Sequence, residues 1–244
     1  MFNRPEFDEL IQRHILEMSN DLELRDRAMR LMISACKYDY AYHHTWLGLP
    51  IIQLPEDIVR NQELFWADRP EAIIETGVAW GGSIVLHASL MELAGGTGKV
   101  VAVDRVLPKH LTNEIMKFPF SSRIHLIEGD SIDPKVIEAV RSEIDGAKRV
   151  AVFLDSNHSH SHVLAELREY SKFVTKGQHL TVYATAIEKM PVSNTKKRPW
   201  GPGANPMTAI KIFLHETSRF VPDEKWSRKT LVTFAPDGRL LCVE

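Results

Sequence analysis

The chain has 244 residues, 44% of them hydrophobic and 25% charged, with a net charge of −2 and a pI near 6.6. That size and apolar fraction suit one α/β domain with a substantial core. A near-neutral balance argues against nucleic acid or an anionic membrane as partner, and the densest basic cluster, Lys196-Lys197-Arg198, reads as a solvated loop.

The N-terminus, MFNRPEFDELIQRHILEM, is too charged for a signal peptide, and no apolar run is long enough to span a bilayer. Two cysteines, Cys36 and Cys242, stand in no metal-type spacing, so a reduced, cytoplasmic setting is expected. From Glu6 to Leu31 acids, bases and aliphatics recur at helical spacing, which predicts one or two exposed amphipathic helices. Residues 1–60 are expected to form a helical extension or lid, too small for an independent core, and residues 61–244 the main domain. An aromatic and histidine-rich loop follows those helices: Tyr38, Tyr40, Tyr42, His43, His44, Trp46. Pro55-Glu56-Asp57 then opens a helical pattern running to Trp66.

Beyond it the pattern alternates. Short apolar strands are predicted at Ala72–Thr76, Val100–Asp104, His125–Glu128, Val150–Asp155 and His179–Tyr183. Helices fall between them at Ser83–Ala94, Leu111–Met116, Pro134–Ile144 and His162–Phe173, and another near Met207–Thr217. Such alternation implies parallel strands with right-handed crossovers, covered by helices on both faces. Thr230–Ala235 and Arg239–Val243, joined by Pro236-Asp237-Gly238, predict a terminal β-hairpin. The fold class is therefore α/β and Rossmann-like: a mostly parallel sheet with a C-terminal antiparallel hairpin, the layout of class I methyltransferases.

The segment Glu75-Thr76-Gly77-Val78-Ala79-Trp80-Gly81-Gly82-Ser83 joins the first of these strands to its helix. Its glycines permit positive φ and close approach of a ligand, and Ser83 can cap the helix. The spacing is not the G-x-G-x-x-G of a nicotinamide site, and the wider loop suits S-adenosylmethionine, which has no pyrophosphate. Glu75 is placed near the amino-acid part of that cofactor, Asp104 at the ribose, and Asp130 and Ser131 at the adenine. The bland reading is a strand–helix turn with Asp104 as a helix cap. At the fourth strand's end lies Asp155-Ser156-Asn157-His158-Ser159-His160-Ser161-His162. One of His158 and His160 is the expected general base. A three-histidine metal site would need the segment to stay extended, which the following helix opposes. Trp200, in the Pro- and Gly-rich loop 199–206, offers an apolar wall for a sugar or ring.

HHTWLGLPIIQLPEDIVRNQELFW, IIETGVAWGGS, LDSNHSHSHVLAEL and RPWGPGANP together resemble the cephalosporin hydroxylase family, which includes rhamnosyl O-methyltransferases. The resemblance runs from about Tyr38 to the C-terminus. It implies S-adenosylmethionine-dependent methyl transfer to a hydroxyl of a sugar, glycan or small secondary metabolite. It also implies a homo-oligomer. Carried over by position, Glu75, Gly77, Gly81, Gly82 and Ser83 match the cofactor loop and Asp104 the ribose acid. Asp155 matches a ligand of a divalent metal, usually magnesium, with His158 in the same motif. His44, Trp46 and Trp200 would face the acceptor. Where relatives place an acidic residue after the fifth strand, this chain has Tyr183-Ala184. Magnesium needs several hard oxygen ligands, so its use is doubtful here unless Glu188 substitutes. A cofactor-binding protein with impaired or metal-independent catalysis is the alternative, and a nicotinamide oxidoreductase a more distant one.

Overall fold

The computed structural model describes residues 3–195 and 197–244, the side chain of Thr195 excepted, so Lys196 of the basic triplet lies outside the described residues. The chain opens with α1 (Arg4–Asn20) and α2 (Leu22–Ala35). They are separated at Asp21, whose Oδ1 accepts the Leu24 amide at 2.9 Å and so starts the second helix. No residue of α1 is buried, and α2 buries only Ala28 and Met32. Two two-residue strands, β1 (Thr45–Trp46) and β2 (Leu49–Pro50), form a small antiparallel pair ahead of α3 (Pro55–Asp68).

The alternating unit follows: β3 (Ala72–Thr76), α4 (Gly82–Ala94), β4 (Lys99–Asp104), α5 (Lys109–Ile115), β5 (Ile124–Glu128), α6 (Pro134–Glu143), β6 (Val150–Leu154), α7 (His160–Tyr170) and β7 (His179–Val182). The chain ends through α8 (Val192–Thr195), α9 (Pro206–Glu216), β8 (Phe220–Pro222), α10 (Glu224–Lys229) and β9 (Arg239–Cys242). The helix α1 runs along α10.

Seven strands form the main sheet in the order β5-β4-β3-β6-β7-β9-β8; the first five are parallel, and β9 and β8 are antiparallel to their neighbours. Period-two alternation sends Ile74, Val101, Val103, Val152 and Leu154 to the face covered by α6, α7 and α9. Ile73, Val100, Ala102, Ala151 and Phe153 go to the opposite face, under α4 and α5. The helix α4 is apolar nearly all round, GSIVLHASLMELA, and is accordingly buried along most of its length. From β3 the chain winds outward to β4 and β5, then crosses back to β6 and β7. That reversal opens a crevice at the carboxyl ends of β3 and β6, where open α/β sheets hold their ligands.

The predicted antiparallel ending is present, with one correction. Residues 230–235 are not a strand, and β8 takes their place beside β9. The reason lies at the N-terminus of α3. Glu56 Oε2 accepts the amides of Leu231 and Val232, each at 3.1 Å, and Asp57 Oδ2 accepts that of Phe234 at 3.1 Å. Amides committed to these carboxylates cannot enter a ladder. The Pro236-Asp237-Gly238 turn stands, with Asp237 in the left-handed region at φ 53°.

Candidate active site at the switch point of the sheet

The loop after β3 is held by its neighbours before any ligand arrives. Gly77 N donates to Val103 O at 2.8 Å, and Asp104 Oδ2 accepts Val78 N at 2.8 Å and Ala79 N at 3.2 Å. Asp104 therefore braces the loop and also borders the crevice, which is more than the helix cap of the bland reading. Gly77 has φ 94°, and a Cβ there would run into the Asp155 carbonyl, so the tips of β3 and β6 touch only because this residue is glycine. At Gly82 packing adds a second reason for glycine: a Cβ there would strike the backbone of Pro50 and Ile51, where the end of β2 meets α4. Trp80 stands 53% exposed at the mouth of the loop.

Ser83 is not the helix cap. Gly81, at φ 80°, occupies the N-cap, and the Ser83 hydroxyl donates to Glu75 Oε1. Glu75 is 2% exposed on the α4 face of β3, with Oε2 lacking a hydrogen-bond partner and His87 Nε2 3.4 Å away. Burial pushes the Glu75 carboxyl up to about 8, against the opposing Ser83 hydrogen bond. Burial likewise pushes His87, packed against Phe153 with ring centroids 4.4 Å apart, down to about 3. The pair at neutral pH is thus an un-ionised acid beside a neutral imidazole. The sequence reading missed His87, although its place on an apolar helix facing an acid-bearing strand is a legible signal.

Asp155 caps the other side of the crevice. Its amide donates to Thr76 O at 2.9 Å, and no described residue hydrogen-bonds its carboxyl group. Burial first, then the charges of Glu75, Glu166 and Asp57, raise it well above the usual carboxylate range. A buried acid, Glu75, and a half-buried one, Asp155, stand on adjacent strands without a paired cation, and together they make a receptor for a positive group.

Between the tips of β4, β5 and β6 lies a cavity of about 300 Å³ lined by Asp104, Asp130, Ser131, Ser156, Asn157 and His162 among others. Its floor is a network that sequence reasoning did not identify. Glu166, fully buried, accepts the hydroxyls of Ser131 at 2.6 Å and Ser156 at 2.7 Å on Oε1. His162 Nε2 lies 3.0 Å from Ser131 Oγ and 3.5 Å from Glu166 Oε1, and the Glu166 hydrogen bond raises the imidazole above its ordinary value. His162 and Glu166 are four apart on α7, a spacing that was available as a signal.

The three histidines diverge, because α7 begins at His160. His160 Nδ1 is 2.7 Å from Thr208 Oγ1, the residue that closes the capping box of α9, so this candidate base ties two helices together. His158 faces Trp200 edge-on with ring centroids 5.1 Å apart, which joins the predicted base to the predicted wall. Burial, helped by the Arg198 charge, lowers His158 to about 4.

Two expectations about the acceptor side change. Trp46 points into the protein, its indole nitrogen donating to Ser89 Oγ at 3.1 Å. His44 sits edge-on to Tyr40 with centroids 5.2 Å apart, its Nε2 buried without a partner; neither residue lines the cavity at the strand tips. The donor set does not fit magnesium. Glu188 Oε2 is taken up by Gly203 N at 2.9 Å and the Asn205 amide, which pull its carboxyl below the usual range. Ala184 has no donor and occupies the left-handed region at φ 58°, and the Tyr183 hydroxyl accepts from Asn61 Nδ2 at 2.6 Å. Among the described residues no three His, Cys, Asp or Glu side chains converge as a metal site.

The chain matches the family described as Rhamnosyl O-methyltransferase/CmcI over residues 38–242. It is 30% identical over 201 residues to the rhamnosyl O-methyltransferase of Mycobacterium tuberculosis strain H37Rv, covering 81% of this chain and 77% of that protein. With the rhamnosyl O-methyltransferase of Mycobacterium leprae the identity is 29%, over 81% of this chain and 82% of the relative. Among solved structures, CmcI with Mg and SAM superposes with a TM-score of 0.58 at 16% identity, over 83% of this chain and 78% of that one. An O-methyltransferase from Bacillus cereus in complex with SAH gives 0.52 at 14% identity, over 84% and 86% of the two chains. These two likenesses establish the fold.

Proposed function

The chain belongs to the rhamnosyl O-methyltransferase/CmcI family, and on that premise we propose that it is an S-adenosylmethionine-dependent O-methyltransferase. Its acceptor is a hydroxyl of a sugar, glycan or small secondary metabolite. The observation that carries the reading is the crevice itself: a cavity of about 300 Å³ at the strand tips, with the buried Glu75 and the half-buried Asp155 on the adjoining strands lacking a cationic partner.

The residues present fit that cofactor. Asp104, Asp130 and Ser131 line the cavity with acceptors for ribose hydroxyls and an adenine edge. Glu75 and Asp155 supply negative charge for an ammonium and a sulfonium, since a nearby cation favours the ionised carboxylate. When bound, S-adenosylmethionine supplies a methyl group already made electrophilic by sulfur. The chain has to align the acceptor and receive one proton. His158, neutral above about pH 4, accepts the acceptor's hydroxyl proton on an imidazole nitrogen while Trp200 offers the sugar an apolar face. A base this weak suffices, because an oxygen forming its third bond becomes strongly acidic. No step is routed through magnesium, whose ligands the site does not assemble.

The test is a thermal-shift panel of S-adenosylmethionine, S-adenosylhomocysteine and NAD, each with and without magnesium, followed by methyl-transfer assays on a sugar panel. Stabilisation by the first two alone, independent of magnesium, is the expected result; stabilisation by NAD alone refutes the reading. Tight cofactor binding with no transfer to any acceptor would favour the impaired-catalysis alternative, which Ala184 motivates. The free thiols of Cys36 and Cys242 support a reducing, cytoplasmic setting. The exposed apolar residues of α1, among them Phe7, Leu10 and Leu16, support homo-oligomer contacts through that helix; a monomeric mass by light scattering would refute the latter.

A further inference from the structure

A second cavity, of about 320 Å³, lies between α2, α3 and the segment 227–239. Its charged lining is dominated by cations: Arg25, Arg60, Lys189 and Arg239. The two acids on its wall do not answer them. Asp26 is paired with Arg30 on its own helix, and Asp237 is exposed on the turn before β9.

Arg239 is 3% exposed; Nη1 donates to Asn61 Oδ1 at 3.2 Å, whereas Nη2 is buried with no hydrogen-bond partner and lies 4.0 Å from Asp57 Oδ1. Asp57 itself is occupied by the Thr233 hydroxyl and the Phe234 amide. Arg60 is 6% exposed, donates to the Trp226 carbonyl and stands over the Trp226 ring at 5.9 Å. Burial, together with the Arg239 charge, pushes Arg60 down to about 10. Arg25, half-buried on α2, also has a buried Nη1 without a partner. Unanswered buried guanidinium donors are expensive; Arg25 and Arg239 each carry one, and Arg60 borders the same volume.

We propose that this cavity is an anion site that takes a phosphate or diphosphate group. The guanidinium group matches phosphate oxygens, and cations arriving from α2, α3 and β9 favour an acceptor whose oxygens point in several directions, as a tetrahedral phosphate's do and a planar carboxylate's do not. The volume is roughly ten times the ~30 Å³ share of one water, so it has room for a diphosphate or a phosphate ester. Because Arg25 belongs to α2, Arg60 to α3 and Arg239 to β9, a bound phosphate would tie α2 to the sheet. This site stands apart from the crevice and does not depend on the methyltransferase reading.

The experiment is calorimetric titration of the full chain with pyrophosphate, inorganic phosphate and acetate at ionic strength fixed with sodium chloride. Pyrophosphate is expected to bind, phosphate more weakly, and acetate not measurably. Arg25→Ala and Arg60→Met should each weaken pyrophosphate by at least about tenfold. Arg27→Ala, an exposed cation on the same helix that faces Glu23, should leave it unchanged. Arg25 is only half-buried on a surface helix, so Arg25→Ala decides the matter even if Arg60→Met fails to fold. Absence of pyrophosphate binding to the native chain, unchanged affinity in Arg25→Ala, or acetate binding as well as pyrophosphate overturns the proposal.

Discussion

Raising the pH from 6 to 8 should tighten S-adenosylmethionine binding steeply, and the size of the effect follows from Glu75. In the free protein this carboxyl titrates near 8, because it is buried and has only the Ser83 hydroxyl to stabilise its charge. A cationic cofactor binds the ionised form, so the apparent dissociation constant carries the factor 1 + 10^(8 − pH). That factor is about 100 at pH 6 and about 2 at pH 8, a change of about 50-fold, or about 2 kcal/mol. His87, lowered to about 3, stays neutral throughout this window and adds nothing to the slope. Calorimetry in two buffers of different ionisation enthalpy should register about 0.9 proton released by Glu75 per cofactor bound at pH 7. Asp155, raised by burial and by the charges of Glu75, Glu166 and Asp57, adds its own share. Glu75→Gln, which mimics the protonated acid, should remove the Glu75 share and flatten the profile by up to that factor. A dissociation constant constant within threefold from pH 6 to 8, or a Glu75→Gln profile superposable on the native one, would refute the argument. The same group sets the sign for the free protein. A carboxyl raised in the folded state contributes stability that is complete below its unfolded value of 4.5 and is lost as pH rises toward 8.

His158→Ala should reduce turnover by about 100-fold or more while leaving cofactor affinity nearly intact, since a positioned base contributes roughly 10²–10⁴ in rate; native-like kcat would remove this histidine from the mechanism. His160→Ala should instead lower thermal stability, by an estimated 1 kcal/mol for one side-chain hydrogen bond, with little change in kcat. Gly77→Ala forces a Cβ into the Asp155 carbonyl at a left-handed position, and melting experiments should show a loss of at least about 1 kcal/mol together with loss of cofactor binding. Magnesium should not change the melting temperature of the native chain. In Ala184→Asp, which adds a carboxylate after β7 in the left-handed conformation that aspartate tolerates, a magnesium-dependent rise is expected.

Much of the fold was legible because it rests on local pattern. The strand at 72–76 and the alternating apolar runs that follow it need a parallel sheet wherever they are placed, and Asn205-Pro206 announces a helix start through capping chemistry alone. The run 230–235 looked like a strand for the same local reason. It became a crossing segment only because Glu56 and Asp57, about 175 residues earlier in the chain, take its amides. Likewise the residue types of the cofactor loop are readable, but not all their tasks: Ser83 reads as a helix cap, whereas packing makes it a partner of Glu75, and Gly82 also seats Pro50.

By itself, then, the sequence determined the α/β class, the position of the loop at the end of β3, and the absence of an acidic pair after β7. These depend on periodicity, glycine and residue identity, all written in order along the chain. Tertiary structure alone decided which acids are buried together, which histidine faces Trp200, and which guanidiniums share a cavity. Charge and proton affinity depend on distance and on exclusion of water, and neither exists until strands remote in sequence have been brought side by side.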